Sequence, residues 1–527
     1  MHALIKSALV TLALLLPAAG AQITSLTPPP PWDIRTGPYS FSEYHTTDLP
    51  CPTIRSTYDC PACANGLFSF ITPRGYSISS PSVAIYDDRS QLVWLKETDG
   101  QAYDLKVQEV EGRQYLTYWT GDDRVRGHGS GEWVVLDSSY EEQGRIGALN
   151  GLTADLHELV ITPEGTALLT VYEARKVPSH AVEENERETV HIWDCLFQEI
   201  DPVRNTLIFQ WRASDHYSIS DTFHDQLDTG TADDPFDWFH INSVQKDVLG
   251  NYLISARYTH SITYIEGKTG RVLWILGGKR NYFKDLSGGA FPQTMHELVE
   301  DQSMMLHKRQ KQLYPATRDS SLNTQERSGL SPDRDYTARL VRTYVHTENI
   351  SSSSQGSMQL IESPTLGEDP TVLIGYGFNA TGDVQSYRTF QNRWIGRPNT
   401  DPTITLSANC SEDAIFVSWN GATEVRQWLL QTSMNPDGQH WLRRTWRDII
   451  SVERESFETR IDFDGRIAKH LPKQAAVTAI HTHKLFIFTN IVIPCLALLA
   501  VVGCFLTSCI RLFKRGQYQN GPLLRAY

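Results

Sequence analysis

Short apolar runs of alternating character, cut by tight turns, dominate this chain and leave little room for helices. "YLTYWTG", "GTALLTVYEA", "NTLIFQWRA", "GNYLISARY" and "PTVLIGYGF" each read as a strand bounded by Gly, Asp or Asn. Three longer stretches share one plan. "PSVAIYDDRSQLVWLKE" (81–97), "HIWDCLFQEIDPVRNTLIFQWRAS" (191–214) and "SITYIEGKTGRVLWILGG" (261–278) each run strand, turn, strand with a tryptophan in the second strand. Repetition at this spacing predicts an all-β body built as a β-propeller, with six blades expected. A β-sandwich is the rival architecture. The strands between about 72 and 390 outnumber what one sandwich can use.

The ends of the chain add further segments. Lys6 precedes an apolar run ending at Pro17, and Ala19 and Ala21 stand before Gln22, so 1–21 reads as a secretory signal peptide. Residues 22–71 form an N-terminal segment with cysteines, and 72–399 the propeller. Residues 400–482, with "AIFVSWNGATEVRQWLLQT" and "FETRIDF", read as a small β-sandwich. The apolar run Leu485–Ile510 is long enough for a transmembrane helix, which needs about 20 residues. Arg511, Lys514, Arg515 and Arg525 follow in the tail 511–527, which places that tail in the cytosol. The reading is a single-pass membrane protein of the secretory pathway or plasma membrane, its body extracellular or lumenal.

That side of the membrane suits N-glycosylation at Asn349, Asn379 and Asn409, each in an N-x-S/T sequon. It also favours disulfides among Cys51, Cys60, Cys63, Cys195 and Cys410, of which five allow at most two bridges. The Cys60–Cys63 spacing is that of a redox pair, but no βαβ pattern surrounds it. The formal net charge of −13 comes without a basic stripe and excludes a nucleic-acid partner.

The chemistry-bearing stretch is "DWFHINSVQKDVLGNYLISARYTH" (237–260). Side chains alternate along a strand, so His240 and Asn242 share a face. A two-residue turn at 250–251 or a four-residue turn at 247–250 puts Arg257 on that same face, whereas a three-residue loop puts it opposite. An imidazole, an amide and a guanidinium together suit a tetrahedral oxyanion. The alternative is an internal hydrogen-bond network tying strands together. His260 falls on the other parity and ranks second.

This hairpin, with "DLHELVITPEGTALLTVYE" (155–173), the Ser-Gln-Gly-Ser motif (354–357) and "VSWNGATEV" (417–425), closely resembles the arylsulfotransferase (ASST) family in its fungal, secreted or membrane-attached form. The resemblance covers about residues 80–440. It implies a propeller whose central funnel moves a sulfuryl group from a phenolic sulfate ester to a phenol, with no cofactor and no nucleotide sulfate donor. By motif, a transiently sulfated histidine falls on His296, the sulfate-holding residues on His240, Asn242 and Arg257, and a further funnel histidine on His157. The sequence departs from the family at Glu297, where an Asp is usual, and in "MLHKRQKQ" (305–312). A catalytically silent propeller that binds a cell-surface or wall ligand is the second function class.

Overall fold

The computed structural model describes residues 41–49, 51–54, 66–75, 78, 80–124, 127–178, 189–225, 229–286, 336–338, 355–361, 371–375, 384–407, 414–433, 446–462 and 475–481. Among them the protein is all-β, with two 3₁₀ turns and no α-helix. No helix there is long and apolar enough to cross a membrane. The expected signal peptide, the 485–510 span, His296, the three sequon asparagines and Cys60, Cys63 and Cys410 all lie outside the described residues.

Four antiparallel sheets carry the body. Sheet I joins Phe68–Ile71, Ser82–Tyr86 and Leu92–Glu97, and its free edge is completed by Phe390–Asn392 from far along the chain, with Phe390 opposite Phe70. Sheet II comprises Gln101–Val110, Arg113–Asp122, Ser130–Leu136 and Glu142–Ile146. Sheet III comprises Leu159–Ile161, Ala167–Pro178, Thr189–Asp201 and Thr206–Arg212. Sheet IV comprises Ile241–Lys246, Tyr252–Ala256, Ser261–Ile265 and Val272–Gly277. All three strand–turn–strand repeats read from the sequence are present, with Trp94, Trp211 and Trp274 in the second strand of each.

Apolar side chains on facing sheets fill the gaps between successive sheets. Phe70, Ile85 and Trp94 meet Leu116, Val134 and Leu136 between I and II. Trp119, Trp133 and Ile146 meet Leu159, Leu169 and Leu196 between II and III. Phe197 and Trp211 meet Ile241, Tyr252 and Ile254 between III and IV. Trp211 also donates its indole N–H to Gly270 O at 3.1 Å, tying sheet III to a turn of sheet IV. Burying a side chain of this size contributes roughly 2–3 kcal/mol.

Strands Thr403–Leu406, Ala414–Ser418 and Glu458–Asp462 form one three-stranded sheet and Val425–Ser433, Trp446–Glu453 and Ala475–His481 another, around one apolar cluster with Ile415, Val417 and Ile461 from the first and Val425, Trp428 and Leu430 from the second. The Trp419–Ala422 turn of this unit docks on sheet I. Asn420 donates to Leu95 O at 2.8 Å and accepts from Leu95 N at 2.9 Å. Gly421 is required there: at φ +94°, a Cβ would lie 2.3 Å from the Tyr140 ring.

The disulfide expectation fails at two of its cysteines, because Cys51 and Cys195 are both buried free thiols. Cys195 is fully buried in the apolar cluster between sheets III and IV, and the Cys51 sulfur lies 3.1 Å from the Tyr86 hydroxyl. Both fill core space in the way a small hydrophobe does.

Candidate active site

The first strand of sheet III lies against the first strands of sheets II and IV, and the closing strand 390–392 lies against the first strand of sheet II. One group of polar residues sits on or beside these strands: Asp104 and the partly buried Lys106 in sheet II, His157 and Glu158 leading into sheet III, His240 and Asn242 leading sheet IV, and Tyr387 and Arg388 before strand 390–392. The fold therefore gathers residues scattered over more than 280 positions into one buried cluster.

The hairpin of sheet IV reaches the expected grouping by a different route. Its turn is a three-residue loop: Asp247 N–H donates to Asn251 O at 2.8 Å, and Gly250 takes φ +80°. Lys246 then pairs with Tyr252 and Ser243 with Ser255, the register that would place Arg257 on the far face. A bulge at Asn242 shifts the register by one, so Ile241 pairs with Ala256 and Arg257 N–H donates to His240 O at 2.9 Å. Bulges re-aim side chains in this way. Arg257 thus lies directly across from His240, its guanidinium 5.5 Å from the Tyr258 ring. His260 lies in the following turn and stacks on Phe223 at 4.5 Å.

His157 and His240 are 1% and 3% exposed, and their rings meet edge to face at 4.7 Å. Each Nδ1 is held by an aspartate, His157 by Asp155 at 2.6 Å and His240 by Asp237 at 2.5 Å. Asp237 is placed by a short parallel pairing of 236–237 with 192–193 in sheet III. Burial pushes the Asp155 carboxyl up, but His157, His128 and the Gly129 N–H outweigh it and hold it at about 2. For Asp237, burial is likewise outweighed by the surrounding imidazoles, His240 first, and its carboxyl stays below the usual range. An ionised carboxylate only accepts, so both Nδ1 atoms carry the proton. Burial, with smaller contributions from His157 and Arg257, overcomes the pull of Asp237 and takes His240 down to about 4. His240 is therefore neutral near pH 7, and its Nε2 presents a lone pair. That suits a base or nucleophile better than a donor to sulfate oxygens.

Several neighbours carry no local sequence signal. His128, 2% exposed, stacks on Tyr172 at 4.6 Å and meets Trp193 edge-on at 4.3 Å. Burial lowers its pKa, and its Nε2 has no hydrogen-bond partner among the described residues. The same holds for both side-chain polar atoms of Asn242 and for the Tyr387 hydroxyl. Tyr387 packs edge-on to His157 at 5.6 Å. So many buried polar atoms without partners in one place is what a site for a polar ligand requires, because such atoms are otherwise satisfied. The Ser-Gln-Gly-Ser motif backs this wall: Gly356 N–H donates to Tyr387 O at 2.9 Å, and Ser357 Oγ to Thr389 O at 2.5 Å. An apolar cavity lined by Val110, Tyr115, Val135 and Ile146 lies apart from the histidines.

Comparison with known proteins gives one family. A family model described as arylsulfotransferase (ASST) matches residues 106–389, just over half of the 527-residue chain, a span that includes the five catalytic candidates His157, His240, Asn242, Arg257 and His296. No curated protein matches the chain. Among solved structures, a protein of unknown function from Bacteroides caccae is similar over 40% of this chain at 14% identity, with a TM-score of 0.23. The chain spans 58% of that protein's length.

Proposed function

The chain belongs to the arylsulfotransferase (ASST) family, and from that premise we propose that it transfers a sulfuryl group from a phenolic sulfate ester to a phenol through a sulfated histidine, in the form found in fungi. The observation that carries this reading is the pair of carboxylate-held imidazoles 4.7 Å apart, with Arg257 paired across from His240. In the first half-reaction a histidine nitrogen lone pair forms an N–S bond as the S–O(aryl) bond breaks. The aryl oxygen leaves with that electron pair and takes up a proton. In the second half-reaction a phenol oxygen attacks sulfur, the N–S bond breaks, and the phenol's proton passes to a base. Motif position assigns the nucleophile to His296. His240, whose neutral imidazole presents its Nε2, takes up the phenol's proton and returns it to the leaving aryl oxygen of the next turnover, with the His157 ring beside it. Arg257 stabilises the equatorial oxygens, and Asn242 adds a neutral donor. Positioning and charge stabilisation carry most of such a transfer, as in phosphoryl transfer.

The same reading takes sheets I to IV as blades of a propeller. Completion of sheet I by strand 390–392 is what closing a ring of blades needs. Residues 403–481 then form an appended sandwich, and 485–510 holds the protein in a membrane of the secretory pathway or cell surface, with glycans at Asn349, Asn379 and Asn409. A second reading, a silent binding propeller, is favoured by Glu297 beside the nucleophile position. The deciding experiment is incubation with 4-nitrophenyl sulfate, acid-free quenching, and peptide mass spectrometry. A sulfuryl adduct on the His296 peptide supports transfer. An adduct on His240 moves the nucleophile there, and bound ester with no adduct favours the binding protein.

A further inference from the structure

Arg388 has no place in the mechanism above, yet it reaches three of the sheets from the segment that leads into the strand completing a fourth. Its guanidinium is 3% exposed. Nη1 lies 3.1 Å from Asp104 Oδ1 in sheet II and 3.1 Å from Glu158 Oε2 at the start of sheet III. Nη2 donates to the backbone carbonyl of Asn242 in sheet IV at 2.9 Å. Lys106 shares both carboxylates, 2.7 Å from Asp104 and in contact with Glu158. Among the described residues two cations face two carboxylates, and the contact to the neutral Asn242 carbonyl adds nothing to that pairing. Burial would lower the Arg388 pKa, but Tyr387, Asp104 and Glu158 outweigh it and keep the guanidinium charged.

The contact to Asn242 therefore has a different consequence. Asn242 is the extra residue of the bulge, and a bulged residue's carbonyl is taken out of the regular ladder. A buried carbonyl needs a donor, and Arg388 supplies it. The Asn242 side chain has no hydrogen-bond partner among the described residues, so it does not anchor the bulge. If the bulge were lost, the register set by the three-residue loop would run on unbroken and pair Arg257 with Ile241 in place of His240. A slip of one residue turns side chains to the opposite face.

We propose that Arg388 is a positioning residue: by holding the Asn242 bulge it sets Arg257 across from His240, so that completion of sheet I by strand 390–392 assembles the site. This rests on the reading of His240 and Arg257 as part of the sulfuryl site. Arg388→Lys tests it, because a lysine keeps the charge for Asp104 and Glu158 but lacks the planar fork that also reaches the carbonyl. Lys106→Gln is the control, since Lys106 touches the same carboxylates and not the bulge.

Two readouts apply to the full-length chain: affinity for 4-nitrophenyl sulfate, and the low-field proton NMR signal of the His240–Asp237 hydrogen bond, assigned by its loss in His240→Gln. Arg388→Lys is expected to weaken affinity about tenfold or more and to shift the His240 signal. Lys106→Gln lowers the thermal midpoint and leaves both readouts at the parent values. If Arg388→Lys lowers the midpoint but leaves both readouts unchanged, Arg388 is only a member of the ion cluster and the proposal is wrong. Should Arg388→Lys not fold, Arg388→Met combined with Asp104→Asn removes one charge of each sign and is read in the same way. A parent that binds no aryl sulfate defeats the functional reading, while the His240 signal still decides the role of Arg388.

Discussion

Asp155 and Asp237 each hold the Nδ1 of a histidine at nearly the same distance, yet their surroundings differ. Asp155 is fully buried and accepts from four donors: Gly129 N–H, His157 N–H, His157 Nδ1–H and Thr170 Oγ–H, at 2.6–3.0 Å. It fastens the 127–129 loop, the start of sheet III and its second strand together. Asp237 holds His240 through Oδ2, while its Oδ1 has no hydrogen-bond partner among the described residues. His240 itself takes φ +59°, a left-handed conformation uncommon for a non-glycine residue. Asp155 thus ties several scaffold elements together, whereas Asp237 holds one imidazole and leaves its second oxygen unpaired among the described residues. Strain and unsatisfied polar atoms collect at functional positions in this way.

The largest expected difference comes from neutralising each carboxylate. Asp237→Asn should slow transfer by about 10³–10⁴, the scale for an orienting carboxylate whose loss leaves an imidazole in the wrong tautomer. Its thermal midpoint should stay within a few degrees of the parent. Asp155→Asn should instead destabilise by roughly 2–4 kcal/mol, because an amide NH₂ would face the His157 N–H and Thr170 hydroxyl donors. Equal splits between rate and stability in the two variants would break the comparison.

Acid titration of stability sharpens it. The folded pKa of His240 is lowered from 6.5 to about 4, so its contribution is full above 6.5 and is lost as pH falls from about 6.5 to about 4. Asp155 is lowered from 3.8 to about 2, so its contribution is lost in a second step across that lower range. At about 1.4 kcal/mol per pH unit, the steps are of order 3 and 2 kcal/mol. His240→Gln should shrink the upper step in denaturant titrations run at a series of pH values, leaving the part that the buried His128 contributes. An upper step of unchanged size would mean that His240 does not titrate there.

Arg257→Lys should weaken aryl sulfate binding by about 10–100-fold, the scale of a charged hydrogen bond worth roughly 1.5–3 kcal/mol, with folding retained. Calorimetry with 4-nitrophenyl sulfate checks it. A variant that unfolds while each folded molecule binds normally would favour the internal-network reading of the hairpin. At the small end, Val248→Ser at the exposed loop tip (87% exposed) should change stability by under about 0.5 kcal/mol and leave transfer unaltered. A larger effect would mean that loop length alone does not set the register.

Much of the strand pattern was legible because alternation and turn residues are local signals. Ser82–Tyr86, Leu92–Glu97 and the last two sheet IV strands fall where "PSVAIYDDRSQLVWLKE" and "SITYIEGKTGRVLWILGG" place them. His157, His240, Asn242 and Arg257 were legible as motif residues, but the path to their grouping was not. The expected turn lengths were wrong, and the bulge at Asn242 compensated for the error. A bulge is stabilised by a tertiary contact, here from Arg388, that lies 146 residues away. Arg388 itself, in "SYRTF", has no periodicity or spacing to mark it. His128 sits between two glycines, a pattern that reads as a turn until Tyr172 and Trp193 enclose it.

The central claim is that this buried histidine–arginine cluster transfers sulfuryl groups between phenols. The most direct test mixes the full-length chain with 4-nitrophenyl sulfate, with and without a phenol acceptor, in the absence of any nucleotide. The account predicts 4-nitrophenol release that depends on the acceptor, yields the sulfated acceptor in equal amount, disappears in His240→Ala, and falls about tenfold or more in Arg257→Lys at subsaturating ester. Release at the same rate without an acceptor, or release that survives both substitutions, would contradict it.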